Sequence, residues 1–475
     1  MSVLIANALV LGEQGFAPGA VLVEGDRIAA IGEAAQLRHR AREVVDAAGC
    51  WLIPGLIDAH AHGYSSLLRG TENALPLELW ALYTVLYGRA FDAEAIRAAI
   101  LLGAAERIRA GITGVVDHTP YVGLWREAIA AHEQSGLRVG YAAFLHDISD
   151  YDLLKLDLPP EVAAMAGALP RLDARAYAAR FAEAHGAASA GSGRVQVQLG
   201  PNAPQRCTPE AWALWRRLQE RHDVRVHLHL METRAQAMIG ARDWEGGLVA
   251  EMARQDLLRP GLAAAHGVWL TEAERGRLAE AGAVVVHNPA SNLMLGSGVM
   301  DLLAHRRLGL ATALGSDSAN TGGRADMFEI MRLAMMLPRV ATQDHTAWPT
   351  PREVLTMASE TGAAVLGLGG QAGRIAPGML ADLALVRHDG AAALALDPSV
   401  AALVQHASPD AVESVMVGGT WLMRDKRILA FDEAAARAAA SDAMAAIRDR
   451  VAPGRRVLDA ALPGIAARLK ALMAG

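Results

Sequence analysis

The pattern of apolar and polar positions divides the chain into stretches of different character. Over residues 3–53, apolar positions alternate with polar ones between turns rich in Gly and Asp, which predicts short β-strands. From Asp58 onward, short runs rich in Val, Leu and Ala alternate with longer segments of helical periodicity, such as 93–110 and 209–220. This alternation predicts the β–α units of a parallel sheet.

The middle of the chain contains eight strand candidates, each followed by a helical or irregular segment. They lie at 52–58, 114–118, 138–146, 195–200, 224–232, 262–269, 283–288 and 310–317. Eight such units predict a (β/α)8 barrel of the TIM type rather than an open sheet.

The strand pattern returns near the carboxy end, in 383–387 and 414–431. We therefore expect an α/β protein in which the barrel is inserted into a small β-sandwich formed by both chain ends. The predicted divisions are residues 1–57 for the first part of the sandwich, 58–372 for the catalytic barrel, and 373–475 for the second part with a carboxy-terminal helix. That helix is expected over the Ala-rich residues 432–451, capped by Asp432 and followed by Pro453-Gly454.

Composition narrows the class of ligand. The chain has 475 residues with 45 Lys and Arg against 51 Asp and Glu, a net charge of −6, and no basic block. Nucleic acid is therefore not an expected partner. No apolar run of about twenty residues predicts a membrane span, and no signal peptide is evident. Because it has only two cysteines, the chain is expected in the cytoplasm. The expected partner is a small molecule, and the sequence leaves open whether the protein is a homo-oligomer.

Candidate chemistry first occurs at the end of the first barrel strand, where His60 and His62 are separated by one residue. Residues two apart in a strand project to the same side, so both imidazoles can reach one ion. A lone His-x-His is weak evidence, because two packed histidines are the commoner explanation. The motif supports a metal site only if other strands contribute further ligand residues.

Further candidates stand at the carboxy ends of other predicted strands, the face on which barrel enzymes build their active sites. Imidazole and carboxylate groups suit a borderline divalent ion that keeps an open position for water. His227 remains open as an alternative ligand, because it projects to the same side of its strand as His229. The candidates are His229, Glu232, His266 and Asp317.

These motifs together resemble the amidohydrolase superfamily, in particular its mononuclear branch of cytosine-deaminase-like and triazine-hydrolase-like enzymes. The resemblance covers nearly the whole chain. It rests on Pro-Gly-Leu-Ile-Asp-x-His-x-His at 54–62, His-x-x-Glu at 229–232, Ala-His-Gly at 265–267, the run 287–298 that begins His-Asn-Pro, Gly-Ser-Asp at 315–317, and the segment 373–383.

The resemblance implies one divalent metal ion bound by His60, His62, His229 and Asp317. It favours His229 over His227, because the family places its catalytic glutamate three residues after the metal-binding histidine, where Glu232 stands. Dinuclear relatives carry a carboxylated lysine on the fourth strand, whereas residues 194–200 contain no lysine. Zinc is the expected ion, although the same ligands accept iron or manganese.

The implied reaction is the hydrolytic deamination of an amino-substituted heterocycle such as a purine, pyrimidine, pterin or triazine-like ring. A coordinated water attacks the ring carbon, with Asp317 as ligand and base. His266 orients the water, and Glu232 protonates a ring nitrogen and then the departing ammonia. The alternative at the same site is removal of chloride or an alkylamine, or opening of a cyclic amide. A non-catalytic barrel would predict a broken ligand set, and this set is whole.

Substrate contacts are expected from four further residues: Trp80, Asn202, Gln205 and His287. Asn202 stands where many adenosine-type and thioadenosine-type deaminases of this branch have a histidine. Its amide donates and accepts but cannot become cationic, which counts against a nucleoside substrate. Trp80 belongs to a segment that equally fits a cover over the pocket or an ordinary helix of the barrel rim.

Overall fold

The computed structural model describes residues 2–72, 74–167, 172–390 and 394–474. Within these residues the chain forms two sheets, an eight-stranded parallel sheet and a nine-stranded sheet built from both chain ends. The predicted α/β fold is therefore confirmed: a TIM-type barrel lies between two segments of β-structure that meet in one sheet.

Strands β1 to β5 and β14 to β17 make the end sheet, in the order β17-β16-β15-β14-β5-β1-β2-β3 with β4 beside β1, and β6 to β13 follow one another around the barrel. Their bounds are β1 (Ser2–Gly12), β2 (Gly15–Glu24), β3 (Arg27–Gly32), β4 (Glu43–Asp46), β5 (Cys50–Pro54), β6 (Leu56–Ala61), β7 (Ile112–Thr119), β8 (Arg138–Leu145), β9 (Val195–Pro201), β10 (Val226–Leu230), β11 (Leu262–His266), β12 (Val284–His287), β13 (Ala311–Leu314), β14 (Leu383–Arg387), β15 (Val412–Val417), β16 (Thr420–Arg424) and β17 (Arg427–Ile428).

The predicted strand over 52–58 divides into two strands at Gly55. On one side β5 pairs with β14 in the end sheet, and on the other β6 enters the barrel. The Gly55 amide donates to the Asp382 carbonyl at 2.9 Å. A Cβ atom at Gly55 would lie 2.1 Å from Thr113 Oγ1, so only glycine fits at this junction. The other seven predicted strands correspond to β7 to β13.

Helices surround the barrel and extend past it at the carboxy end. None of the described helices is long and apolar enough to cross a membrane. Their bounds are α1 (Ala34–Leu37), α2 (Leu77–Gly88), α3 (Ala93–Arg109), α4 (Trp125–Ser135), α5 (Asp150–Leu154), α6 (Pro160–Val162), α7 (Ala174–Ser189), α8 (Pro209–His222), α9 (Arg234–Asp243), α10 (Leu248–Arg254), α11 (Glu272–Glu280), α12 (Pro289–Met294), α13 (Leu302–Leu308), α14 (Met327–Met336), α15 (Pro338–Ala341), α16 (Pro351–Met357), α17 (Glu360–Val365), α18 (Val400–His406) and α19 (Glu433–Ala474).

Helix α19 is longer than the sequence pattern predicts. Asp432 caps it as expected, accepting from the Ala435 amide at 2.9 Å, but the helix continues through Pro453 and Pro463. Packing against α2 and α3 stabilises it beyond the point where propensity alone would end it. The approach is close enough that a Cβ atom on Gly454 would lie 2.9 Å from a methyl group of Leu86 in α2.

The barrel closes where its last strand meets its first. The Asp317 amide donates to the His60 carbonyl at 2.9 Å, just beyond the end of β13. Beneath this contact the fully buried carboxylate of Asp58 accepts from the Ser316 amide at 2.8 Å, from its hydroxyl at 2.7 Å, and from Arg107 Nε at 3.0 Å. Asp58 therefore links the first strand, the end of the last strand and helix α3.

Replacing Asp58 by Asn should destabilise the fold strongly, because the buried Arg107 guanidinium would lose its counter-charge. The expected loss in free energy of unfolding is about 3–5 kcal/mol. Glu183→Gln is the matched control: it breaks an Arg–carboxylate pair whose side chains are 65% and 52% exposed, and should cost about 1 kcal/mol or less. Urea unfolding followed by circular dichroism measures both, and equal shifts would contradict the role of Asp58.

Candidate active site

The structure brings the six predicted metal-binding and catalytic residues to one end of the barrel. His60 lies in β6, His229 in β10, and His266 is the last residue of β11. His62, Glu232 and Asp317 follow the ends of β6, β10 and β13, and all six side chains are buried. Parallel strands place their carboxyl ends at the same rim, which is why residues so far apart in sequence meet here.

Four of these side chains converge on a common point. Asp317 Oδ1 lies 3.4 Å from His60 Nε2 and 3.1 Å from His62 Nε2, and His229 Nε2 lies 3.3 Å from His62 Nε2. Three groups of described residues each offer ligand atoms within 4.8 Å of one another: His60, His62 and His229; His60, His266 and Asp317; and His60, His118 and His227.

Hydrogen bonds behind the rings fix which nitrogen faces that point. His62 Nδ1 donates to the His118 carbonyl, and His229 Nδ1 donates to the Asn202 carbonyl at 2.7 Å. Because a carbonyl only accepts, each Nδ1 carries a proton, and in the neutral ring each Nε2 presents a lone pair. Two lone pairs facing each other at 3.3 Å repel unless a cation lies between them. The donor set therefore fits a divalent metal ion.

His60 and His227 form a pair in which one ring supports the other. His60 Nδ1 and His227 Nε2 are 2.7 Å apart, while His60 Nε2 is buried without a hydrogen-bond partner among the described residues. His227 therefore contacts the Nδ1 side of the His60 ring, whereas His229 Nε2 lies beside His62 Nε2. His118, which the sequence analysis did not single out, supports His62 through its backbone carbonyl rather than its ring. Its place at the end of a predicted strand was the available signal.

Two residues of the set adopt an unusual backbone conformation. Asp317 has φ of 64° and His266 has φ of 78°, in the left-handed region that side chains disfavour. Their side chains are fixed from behind: Ser291 Oγ donates to Asp317 Oδ2 at 2.5 Å, and His266 Nδ1 donates to Asn292 Oδ1 at 2.9 Å. His266 Nε2 is therefore left facing Glu232.

The Glu232 carboxyl group is buried beside His266. Burial, with the Asp317 carboxylate nearby, holds the pKa of Glu232 well above its usual range. Its Oε2 lies 3.7 Å from His266 Nε2, and burial lowers the pKa of His266. The site thus places a carboxyl group of raised pKa beside an imidazole of lowered pKa, a combination suited to moving protons.

The site opens into a cavity of two joined compartments. The inner one, about 110 Å³, is bounded by three of the candidate ligands, His62, His229 and Asp317, together with Glu232, Trp80 and Phe144. The outer one, about 390 Å³, has mostly apolar walls and carries the polar groups of Glu78, Asp150 and Arg206. Residues of α2 and of the segment after β9 line both compartments, so the two compartments adjoin.

Of the four predicted substrate contacts, two line this cavity. Trp80 borders the inner compartment, and Asn202 borders both. Gln205 and His287 are buried, and the described cavity walls do not include them. Arg206, which borders both compartments, was missed by the sequence analysis, and its nearness to Asn202 in the loop after β9 was the only signal for it.

The fold is a TIM-type barrel, and histidines and an aspartate meet at the carboxyl ends of its strands. This combination is typical of a class of metal-binding barrel proteins. The chain belongs to the amidohydrolase family, whose model matches residues 51–422. A second model, the imidazolonepropionase-like composite domain of bacteria, matches residues 19–43.

Individual proteins resemble the chain over nearly its whole length. A 5'-deoxyadenosine deaminase from Methanothermobacter thermautotrophicus is 31% identical, over 91% of this chain and 95% of its own. A 5-methylthioadenosine/S-adenosylhomocysteine deaminase from Syntrophobacter fumaroxidans is also 31% identical, over 90% and 94%. The crystal structure of an adenosine deaminase from Xanthomonas campestris with bound zinc superposes with a TM-score of 0.84 at 28% identity, over 94% of this chain and 98% of that one.

Purified protein should contain about one divalent metal ion per chain, and Asp317→Ala should remove most of it because one of four ligands is lost. His287→Gln is the matched control. It changes another buried residue at a neighbouring strand end that lies outside the three candidate ligand groups of the described structure, so its metal content should match the wild type. Elemental analysis of the purified proteins measures this. Full metal content in the Asp317 variant would contradict the proposed ligand set.

Proposed function

We propose that the protein is a metal-dependent deaminase that hydrolyses an amino-substituted nitrogen heterocycle and releases ammonia. The observation that carries the proposal is Glu232, a buried carboxyl group with a raised pKa that borders the inner compartment beside His266 and Asp317. Ammonia is a poor leaving group unless it departs protonated, so deamination needs such a proton donor.

The metal ligands in this proposal are His60, His62, His229 and Asp317, and zinc is the proposed ion, with iron or manganese as alternatives. The zinc in the Xanthomonas campestris structure supports this choice. When bound, the ion supplies a water whose pKa lies near neutrality.

The side chains of this chain divide the proton transfers among them. The Asp317 carboxylate accepts a proton from the attacking water, and His266 Nε2 orients that water. Glu232 donates its proton to a ring nitrogen, which makes the adjacent ring carbon electrophilic. The ionised Glu232 then takes the proton of the hydroxyl group on the attacked carbon and delivers it to the departing amine, and the proton held by Asp317 returns to Glu232.

Aminopurine nucleosides are the substrates we propose first. The two compartments suit a flat ring beside Trp80 with a substituent extending into the larger, mostly apolar space. The relatives with 31% identity carry names that specify 5'-deoxyadenosine, 5-methylthioadenosine and S-adenosylhomocysteine, each a purine with a large substituent.

Ammonia release should be measured with the zinc-loaded enzyme on a panel of adenosine-type nucleosides, free aminopurines, aminopyrimidines, pterins and triazines. Turnover is expected with at least one adenosine-type nucleoside. Mass analysis of the products separates deamination from loss of chloride or alkylamine and from ring opening. No ammonia from any compound, with the metal in place, would contradict the proposal.

Glu232→Gln should lower kcat/KM for the amine substrate by about 100-fold or more, because the amide has no acidic proton to give. The matched comparison is the substrate analogue with chloride in place of the amino group. Because chloride leaves without protonation, kcat/KM for this analogue should fall less in the variant. Metal content should be unchanged, because Glu232 is not among the proposed ligands. A variant that retained the wild-type deamination rate would show that Glu232 is not the proton donor.

A further inference from the structure

Arg206 lies at the junction of the two compartments, held by a rigid pair of loops. The Arg206 carbonyl accepts from the Asp147 and Ile148 amides at 3.0 and 3.2 Å, and Asp147 accepts from the Thr208 amide and hydroxyl at 2.8 and 2.6 Å. These bonds join the segment after β8 to the segment after β9. The position of the Arg206 backbone is therefore fixed relative to the barrel rim.

The guanidinium of Arg206 makes two side-chain bonds. Nη2 donates to Asp150 Oδ2 at 2.5 Å, and Nη1 donates to Asn202 Oδ1 at 2.6 Å. Asp150 is buried, and its negative charge raises the pKa of Arg206, so the guanidinium remains cationic. The Asp150 carboxylate thus balances the positive charge of Arg206. The Nη1 group of the same guanidinium donates to Asn202.

This contact decides which end of the Asn202 amide faces the cavity. A guanidinium has only donors, so the atom that it contacts must be the amide oxygen and not the nitrogen. The Asn202 Nδ2 group has no acceptor among the described residues, although Asn202 lines both compartments. The backbone of Asn202 is fixed as well, because its carbonyl accepts from both the His229 amide and His229 Nδ1.

We propose that Asn202 is a specificity-determining residue that acts only as a hydrogen-bond donor to the substrate ring, with Arg206 and Asp150 as the positioning residues that fix its polarity. The inference rests on the proposed deaminase function. In this role Asn202 selects heterocycles that carry an acceptor, either a ring nitrogen or a carbonyl oxygen, on the edge that faces the loop after β9. A ring with only C–H or N–H on that edge would leave the Asn202 N–H groups unpaired in a buried site.

Asn202→Asp separates this role from a structural one. Aspartate keeps the shape and the bond to Arg206 but has no proton to donate, so a residue needed only to hold Arg206 would tolerate the change. We expect KM for 5'-deoxyadenosine to rise about 10-fold or more, with a smaller change in kcat. Metal content should stay at the wild-type level, because the contact with His229 is made by the backbone. The same change at the exposed Asn7 in β1 is the control and should leave the kinetics unaltered.

Analogues of the substrate test the polarity directly. The wild type should discriminate about 10-fold or more against at least one of the 3-deaza and 7-deaza analogues of 5'-deoxyadenosine, in which a ring acceptor is replaced by C–H. Asn202→Asp should abolish that discrimination. The double variant Asp150→Asn with Arg206→Met removes both buried charges together, so neither is left without its partner. It should reduce the discrimination between the analogues, because the Asn202 amide is then free to turn.

Calorimetric binding of the same probes to metal-free protein distinguishes the two proposals, because it does not depend on turnover. Selective binding that Asn202→Asp abolishes, together with no ammonia release from the zinc-loaded enzyme, would support the role of Asn202 and contradict the deaminase function. Turnover in which Asn202→Asp keeps the KM and the discrimination of the wild type would overturn the role of Asn202 alone. Wild-type protein that discriminates against neither analogue would also overturn it.

Discussion

The hydrogen bond from the Asp317 amide to the His60 carbonyl is the contact on which both the fold and the site depend. It joins the last strand of the barrel to the first, and the two residues that it joins both belong to the proposed ligand set. The bond joins backbone atoms of neighbouring chain segments. The two side chains therefore project from backbones that lie one strand spacing, about 4.8 Å, apart. The buried carboxylate of Asp58 then holds the same seam from below through Ser316 and Arg107. Closing the barrel and assembling the site are thus one event.

The site is built in two layers that depend on different parts of the chain. Strand ends fix the inner layer, and backbone carbonyls fix the tautomers of His62 and His229. Helix α2 and the loops after β8 and β9 form the outer layer. Asn202 belongs to both, since its backbone holds His229 while its side chain borders the cavity. Substitutions in the outer layer can therefore change the preferred ring without disturbing the ligand set.

The sequence predicted what depends on strand periodicity and strand ends. His60 and His62 were identifiable because residues two apart share one side of a strand, and Asp317 because it ends one. Features that depend on packing between distant segments were not predictable. The division at Gly55 depends on its closeness to Thr113, and α19 passes two prolines because α2 and α3 cover it. Arg206 was missed and Gln205 was chosen because a loop has no period to indicate which side chain faces the cavity.

The left-handed backbone of His266 and Asp317 has a consequence for the evolution of this protein. Each such position costs of the order of 1–3 kcal/mol, and glycine would relieve that cost. Selection for thermostability alone would therefore favour glycine at the two positions that the site needs most, and so would erode activity first. A descendant that kept only the barrel as a scaffold would be expected to lose these two side chains early.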